Sequence, residues 1–503
     1  MMRPPRRATA SRHTVSRAVE SGVALCAIAV ALGAARSRAD SLDDRKRMHP
    51  QLPRSYVAAR AVPAPTIDGT LDDPAWQTTP WTADFVDIEG NALAAAEPGA
   101  TGAPVGPGDA VVIDRAASTR AVAALRAYLA KPSGERGPIG DEPFAGVGLS
   151  RDDAATARAL LATAHAARVR ETRAAEMEER RLRHGDLEMP FTVKVFGDKP
   201  VGGRSMVISM HGGGGAPKAV NDRQWDNQKR LYTLEEGVYV VPRAPTDTWN
   251  LWHQDHIDPL FDRLIENLIV FEDVDPDRIY LMGYSAGGDG VYQLAPRMAD
   301  RLAAAAMMAG HPNETSPLGL RNLPFTIHMG GKDTAYGRNQ TATAWQTMLA
   351  DLRAKDPEGY PHLVTIHAEK GHWMDREDAV AIPWMMQFRR EPFPKRVVWK
   401  QDDVTHRRFY WLAVDDDQRT EGSEIVAERQ GQTIDVTSAQ VERVRLLLDD
   451  EFIDLDRPVA VTAAGRPVAA TTVRRTIGTL ARTLAERGDP RSMVGGELAV
   501  RLR

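Results

Sequence analysis

Ile279-Tyr280-Leu281-Met282-Gly283-Tyr284-Ser285-Ala286-Gly287-Gly288 is the stretch whose reading decides the fold. Its first four residues are a short apolar run of the kind that forms a buried strand. The residues from Asp289 to Met298 have helical character. A Gly-x-Ser-x-Gly sequence between a strand and a helix predicts a tight, strained turn that lifts the serine hydroxyl above a sheet. Small residues on either side let strand and helix pass closely, and the helix N-terminus beneath favours negative charge. Ser285 is therefore the expected nucleophile.

Other elements extend this pattern in both directions. Short apolar runs at Met206–Met210, Val238–Val241, Ala303–Met308, Phe325–Met329 and Leu363–His367 read as buried parallel strands. Helical segments separate most of them, which is the alternation of a doubly wound sheet. The glycine run His211-Gly212-Gly213-Gly214-Gly215 follows one such strand. Glycines there let backbone amides approach a developing oxyanion, with Gly213 and Ala286 as expected donors and Gly212 or Gly214 assisting. The acid and the base of a triad should follow the serine in that order. Asp333, in Gly-Gly-Lys-Asp-Thr, and His372, in Lys-Gly-His-Trp-Met, each stand just beyond a strand, at successive spacings of 48 and 39 residues. His372 would take the serine proton and Asp333 would hold the imidazole. Asp289 and Asp375 are rival acids; His367 and His328, which lie within strands, are rival bases.

Taken together, Ser285, Asp333, His372 and the 211–215 loop resemble the α/β-hydrolase superfamily. From about Gly185 to Arg390 the chain resembles bacterial secreted esterases of the polyhydroxybutyrate-depolymerase, feruloyl-esterase and carboxylesterase type. That resemblance implies ester cleavage without a cofactor. A peptidase of the same fold and a non-catalytic carbohydrate-binding protein are the alternatives. Trp249 and Trp252 follow a strand on the nucleophile's edge and are expected to line the substrate pocket, with His211 and His311 as further contacts. His253, Asp255 and His256 do not have the spacing of a metal-ligand set, and no metal is expected.

The 503 residues imply several domains. A net charge of only -4, with acidic and basic residues interleaved, gives no reason to expect nucleic acid. Arginines at 3, 6, 7, 12 and 17 precede an apolar run, Gly22–Ala35, too short to span a bilayer comfortably. This reads as a signal peptide over residues 1–39, hence a secreted or periplasmic protein with no membrane contact after cleavage. The single cysteine, Cys26, lies inside that run, so the mature chain would hold no disulfide.

Ile67-Asp68-Gly69-Thr70-Leu71-Asp72-Asp73-Pro74-Ala75-Trp76 resembles the opening of family 9 carbohydrate-binding modules. Residues 40–90 are thus read as a fragment of such a module and 91–148 as a poorly defined linker, although Ala116–Ala130 has helical periodicity. Ser150-Arg151-Asp152-Asp153 starts a long helix within 149–185, whose highly charged second half is expected on the surface. The catalytic domain spans 186–394, and 395–503 reads as a small β-rich domain. The expected partner is an ester, polysaccharide- or polyester-linked.

Overall fold

The computed structural model describes residues 113–502. The signal peptide, the module fragment and the linker as far as residue 112 lie outside the described residues.

The region from Arg181 to His367 is built on an eight-stranded sheet flanked by helices. β1 (Arg181–His184) and β2 (Leu187–Phe196) lead into β3 (Arg204–Met210) and β4 (Gly237–Pro242). Next come β5 (Val274–Tyr284), β6 (Ala304–Met308), β7 (Phe325–Gly330) and β8 (His362–His367). Their spatial order is β1-β2-β4-β3-β5-β6-β7-β8. β1 and β2 pair antiparallel, as do β2 and β4; the remaining strands run parallel. β4, β6 and β7 are buried along their whole length, as strands covered on both faces must be.

The doubly wound, mostly parallel sheet is as the alternation of runs implied. Because the central strands are parallel, all their C-terminal ends open on one edge. The chain order reverses around β3, where a crevice forms at that edge.

Residues 113–148 correct the linker expectation. Arg115–Ala130 forms a helix, α1, capped by the Asp114 carboxylate, which accepts from Ala117 N–H. α1 packs through Ala121, Val122 and Leu125 onto the long helix α2 (Arg151–Glu179) and onto the helix Ile477–Arg487. The expected Ser150 cap is in place, its hydroxyl accepting from Asp153 N–H at 3.2 Å. The second half of α2 is not simply a solvated face. Val169 and Met177 are buried there, and Arg173 and Glu176 pair with Glu266 and Arg263. Those partners belong to the helix Ile257–Phe271, whose Leu260, Phe261, Leu264, Ile265 and Leu268 enter the core. Charged residues of α2 thus face another charged helix stripe, which composition alone could not distinguish from water.

From residue 396 the chain forms two further sheets. One is five-stranded and the other four-stranded, the latter ending on the strand Gly496–Arg501. This is the β-rich C-terminal region. It is not separately cored: Trp399, Phe409, Trp411 and Leu446 belong to the same buried cluster as Leu264 and Phe325. A buried ion group joins the two regions. Arg390 holds Asp277 of β5 and Asp489, both at 2.8 Å.

Candidate functional site

Ser285 sits between β5 and the helix Ala286–Arg297, at φ 58° and ψ -122°. A positive φ at a non-glycine residue is strained and persists only when its surroundings hold it. Here Ser285 N–H donates to Met308 O at 2.9 Å, and Ser285 O accepts from Asp289 N–H at 3.0 Å. The crossing of strand and helix is so close that a Cβ on Gly283 would lie 2.1 Å from Gly287 O. The small residues of the motif are a steric requirement.

The Ser285 hydroxyl lies 2.9 Å from His372 Nε2, and His372 Nδ1 lies 2.7 Å from Asp333 Oδ2. Asp333 is buried and His372 is half exposed at the mouth of the site. With Asp333 accepting at Nδ1, the proton resides there, and Nε2 is left to receive the serine proton. The expected serine, base and acid are therefore assembled. The rivals are engaged elsewhere. Asp289 accepts His311 N–H at 2.6 Å; Asp375 pairs with Lys370 at 2.9 Å; His328 and His367 face each other at 3.3 Å. Burial raises the Asp289 carboxyl to about 6.

The glycine loop lies against the nucleophile, since a Cβ on Gly212 would come within 3.1 Å of Ser285 Cβ. Gly213 adopts φ 112°, open to glycine and strained for other residues. The buried His211 governs this loop from below. Ala244 N–H donates to its Nε2 at 3.2 Å, so Nδ1 carries the proton and donates to Gly212 O at 2.6 Å. Burial lowers its pKa to about 3, which keeps the ring neutral. In a trans peptide C=O and N–H point opposite ways. Drawing Gly212 O toward His211 therefore turns Gly213 N–H away from it. Neither Gly213 N–H nor Ala286 N–H donates to a protein acceptor among the described residues. Gly214 is not a further donor, because its N–H is taken by Asn221 Oδ1 at 2.9 Å.

Several structural contributors carry no motif. Asn221 is fully buried and also donates to Ala216 O at 3.1 Å and to Asp247 at 2.8 Å. Arg243 ties Asp247 to Asp222. Tyr284 OH donates to His372 O at 2.6 Å and accepts Met374 N–H at 3.0 Å, which fixes the loop carrying the base. Arg338 approaches the other oxygen of Asp333 at 3.7 Å. Of these only Tyr284 stands inside a motif; Asn221, Arg243 and Arg338 belong to none, and their partners are set by how the loops fold back.

A cleft of about 700 Å³ opens over Ser285 and His372. One wall is the helix Lys218–Leu231, which presents Gln224, Asn227, Arg230 and Leu231. Trp373 and Arg376, just beyond the base, line the other side. The expected pocket residues fare differently. Trp252 does not line the cleft: it is fully buried, and its indole N–H donates to His211 O at 2.8 Å. His211 lies beneath the loop, and His311 turns its Nδ1 to Asn313. Trp249 is exposed beside Gly214 and Gly215, outside the cleft lining. The pocket expectation failed because position on the correct sheet edge does not fix which way a loop side chain faces. Among the described residues no three His, Cys, Asp or Glu side chains gather as a metal site. No described helix is long and apolar enough to cross a membrane.

Residues 242–378, which include Ser285, Asp333 and His372, match the model of the dienelactone hydrolase family. Among solved structures the chain is similar to a thermostable esterase, at 18% identity and a TM-score of 0.33, over 42% of this chain and 62% of that one. The chain thus spans under two thirds of that esterase. A ferulic acid esterase is 16% identical, with 41% of this chain and 96% of that one covered and a TM-score of 0.28. A fluorophosphonate-binding serine hydrolase of Staphylococcus aureus is 14% identical over 41% and 96% of the two chains, with a TM-score of 0.29. No curated protein matches. The sheet order, the strand–serine–helix turn and the matched segment together give this chain the α/β-hydrolase fold.

Proposed function

We propose that this protein is an exported serine hydrolase that cleaves carboxylic esters through an acyl-enzyme on Ser285. The observation that carries this reading is the continuous relay from Ser285 Oγ through His372 to Asp333, at 2.9 and 2.7 Å, opening into a cleft beside the glycine loop.

In the first half-reaction Ser285 Oγ attacks the ester carbonyl as His372 Nε2 takes its proton. The tetrahedral oxyanion is held by the Gly213 and Ala286 amides, with Gly212 giving the loop its close approach. Collapse breaks the bond to the alcohol oxygen, which receives the proton from His372. Water then enters, loses a proton to His372 and attacks the acyl carbonyl. Acid is released and Ser285 is reprotonated. Asp333 stays ionised and stabilises the imidazolium. No cofactor is required. The arginine-rich start and apolar Gly22–Ala35 run support export, and the substrate is expected to be polysaccharide- or polyester-linked.

Hydrolysis of p-nitrophenyl acetate and butyrate by residues 40–503, beside the Ser285→Ala variant, tests the reading. Turnover lost in a folded variant supports it. Labelling of Ser285 by a fluorophosphonate without ester turnover would move the assignment to a peptidase. Absence of both would move it to a binding protein.

A further inference from the structure

Arg338 opens the helix Arg338–Lys355. The first turn of a helix carries the positive end of its macrodipole, so a cation there is misplaced by the helix's own electrostatics. The side chain is also nearly buried, and its Nε, sealed from solvent, meets no hydrogen-bond partner among the described residues. A guanidinium kept under both penalties needs a compensating anion. Among the described residues the carboxylate within ion-pair reach of it is Asp333, whose Oδ1 lies 3.7 Å from an Arg338 Nη. That oxygen is the one turned away from His372, which takes Oδ2 at 2.7 Å.

The chain between the acid and the helix is shaped to keep this contact. Tyr336 at φ 57° and Gly337 at φ 66° are both left-handed. Their turn lays the Tyr336 ring 4.8 Å from the guanidinium carbon of Arg338, a cation–π contact. A left-handed tyrosine is strained and persists only where its surroundings hold it. Asn339 closes the loop: its N–H donates to Asp333 O at 3.1 Å and its side-chain amide to Gly331 O at 2.8 Å.

A second carboxylate stands in the same neighbourhood. Asp289 lies one turn beyond the nucleophile and is buried; that burial raises it to about 6, although the charges of Arg338 and His372 both favour its ionised form. Two buried carboxylates thus share the same two cations, and like charges in one site disfavour each other. Asp333 has to stay ionised to stabilise the imidazolium.

We propose that Arg338 is a positioning residue for the acid of the relay: its guanidinium holds Asp333 ionised, with Oδ2 facing His372, against the repulsion of Asp289. The assignment rests on the serine-hydrolase reading of Ser285 and adds to it the group that sets the charge of its acid.

The test compares wild type, Arg338→Met, Arg338→Lys and the double variant Arg338→Met/Asp289→Asn, whose asparagine can still accept His311 N–H. kcat and KM for p-nitrophenyl acetate are measured beside the rate at which a fluorophosphonate labels Ser285, with circular dichroism to confirm the fold. Should Arg338→Met not fold, Arg338→Gln takes its place in both variants. Disabling the acid outright costs about 10⁴-fold, so weakening its hold should cost less: kcat about 10- to 100-fold lower in Arg338→Met, with KM within about twofold. Arg338→Lys, which keeps the charge, should stay within about fivefold of wild type. The double variant is decisive. Neutralising Asp289 removes the repulsion, so its kcat should recover by at least about threefold over Arg338→Met. A purely structural Arg338 predicts no recovery, because a second buried substitution repairs nothing. A folded Arg338→Met with kcat within about threefold of wild type overturns the proposal, as does a double variant no faster than the single one or a lysine variant as slow as the methionine variant. Labelling rates should follow the same order, so a wild type that is labelled but cleaves no ester still decides the proposal by those rates. A wild type that is neither labelled nor active overturns the serine-hydrolase reading itself, and the role of Arg338 with it.

Discussion

Replacing Asn221 with alanine separates the two things that the glycine loop needs: the right residues and the right support. Asn221 is fully buried and makes three hydrogen bonds, to Gly214 N–H at 2.9 Å, Ala216 O at 3.1 Å and Asp247 at 2.8 Å. Two neutral bonds at about 1 kcal/mol each and one to a carboxylate at about 2 kcal/mol give a stability loss of about 4 kcal/mol. The catalytic consequence is bounded differently. Gly213 N–H keeps its identity, but the next peptide is no longer anchored. Complete loss of one oxyanion donor lowers kcat by about 10²- to 10³-fold. A loop that is displaced only part of the time should lie at or below the lower end, near 10²-fold. The assay is kcat for p-nitrophenyl acetate at a temperature where circular dichroism shows the variant folded, alongside its urea midpoint. A folded variant with kcat within about threefold of wild type would refute the claim that Asn221 holds the oxyanion amide in place.

Asp333→Asn should leave the fold intact and lower kcat by about 10⁴-fold, because the amide neither fixes the Nδ1–H tautomer nor stabilises the imidazolium; steady-state kinetics checks this. Asp289→Asn should alter the pH dependence of stability. Burial raises the Asp289 carboxyl to about 6, so between about pH 4 and 6 the folded state holds more protons than the unfolded chain, and stability falls as pH rises through that window. The asparagine should remove this slope, worth about 3 kcal/mol in total, and parallel urea titrations at pH 4 and 7 would expose an unchanged slope. At Asp489 burial favours the neutral acid, but Arg390 and Arg301 prevail and hold the carboxyl well below the usual range. Its contribution is therefore present above about pH 4 and lost as pH falls toward the folded-state value. Asp489→Ala, which leaves the buried Arg390 with Asp277 as its remaining carboxylate and breaks the tie between the two regions, should cost about 3 to 5 kcal/mol in chemical denaturation.

By itself the sequence determined the reactive centre's ingredients. A Gly-x-Ser-x-Gly turn between an apolar run and a helix has few solutions, because strand and helix cross so closely that a Cβ on Gly283 would lie 2.1 Å from Gly287 O. The parallel sheet was legible for a related reason: strands buried on both faces are continuous apolar runs, and the end of one of them, β7, marks where Asp333 stands, while His372 follows β8, the half-buried edge strand. The β-rich character of the C-terminal region was visible in the same local way. What tertiary structure alone decided were the contacts between parts distant in the chain. The helix Arg115–Ala130 lies in a stretch read as linker, and it is ordered by packing against Ile477 and Leu480, more than three hundred residues away. Trp249 and Trp252 were indistinguishable as letters, yet one points to water and the other is sealed under His211. Asn221 gave no signal because a buried amide in a polar helix looks like an exposed one until its partners arrive. Periodicity and steric need act over a few residues and are written locally; the direction of a loop side chain and the partner of a buried polar group are set by whatever the rest of the chain brings against them.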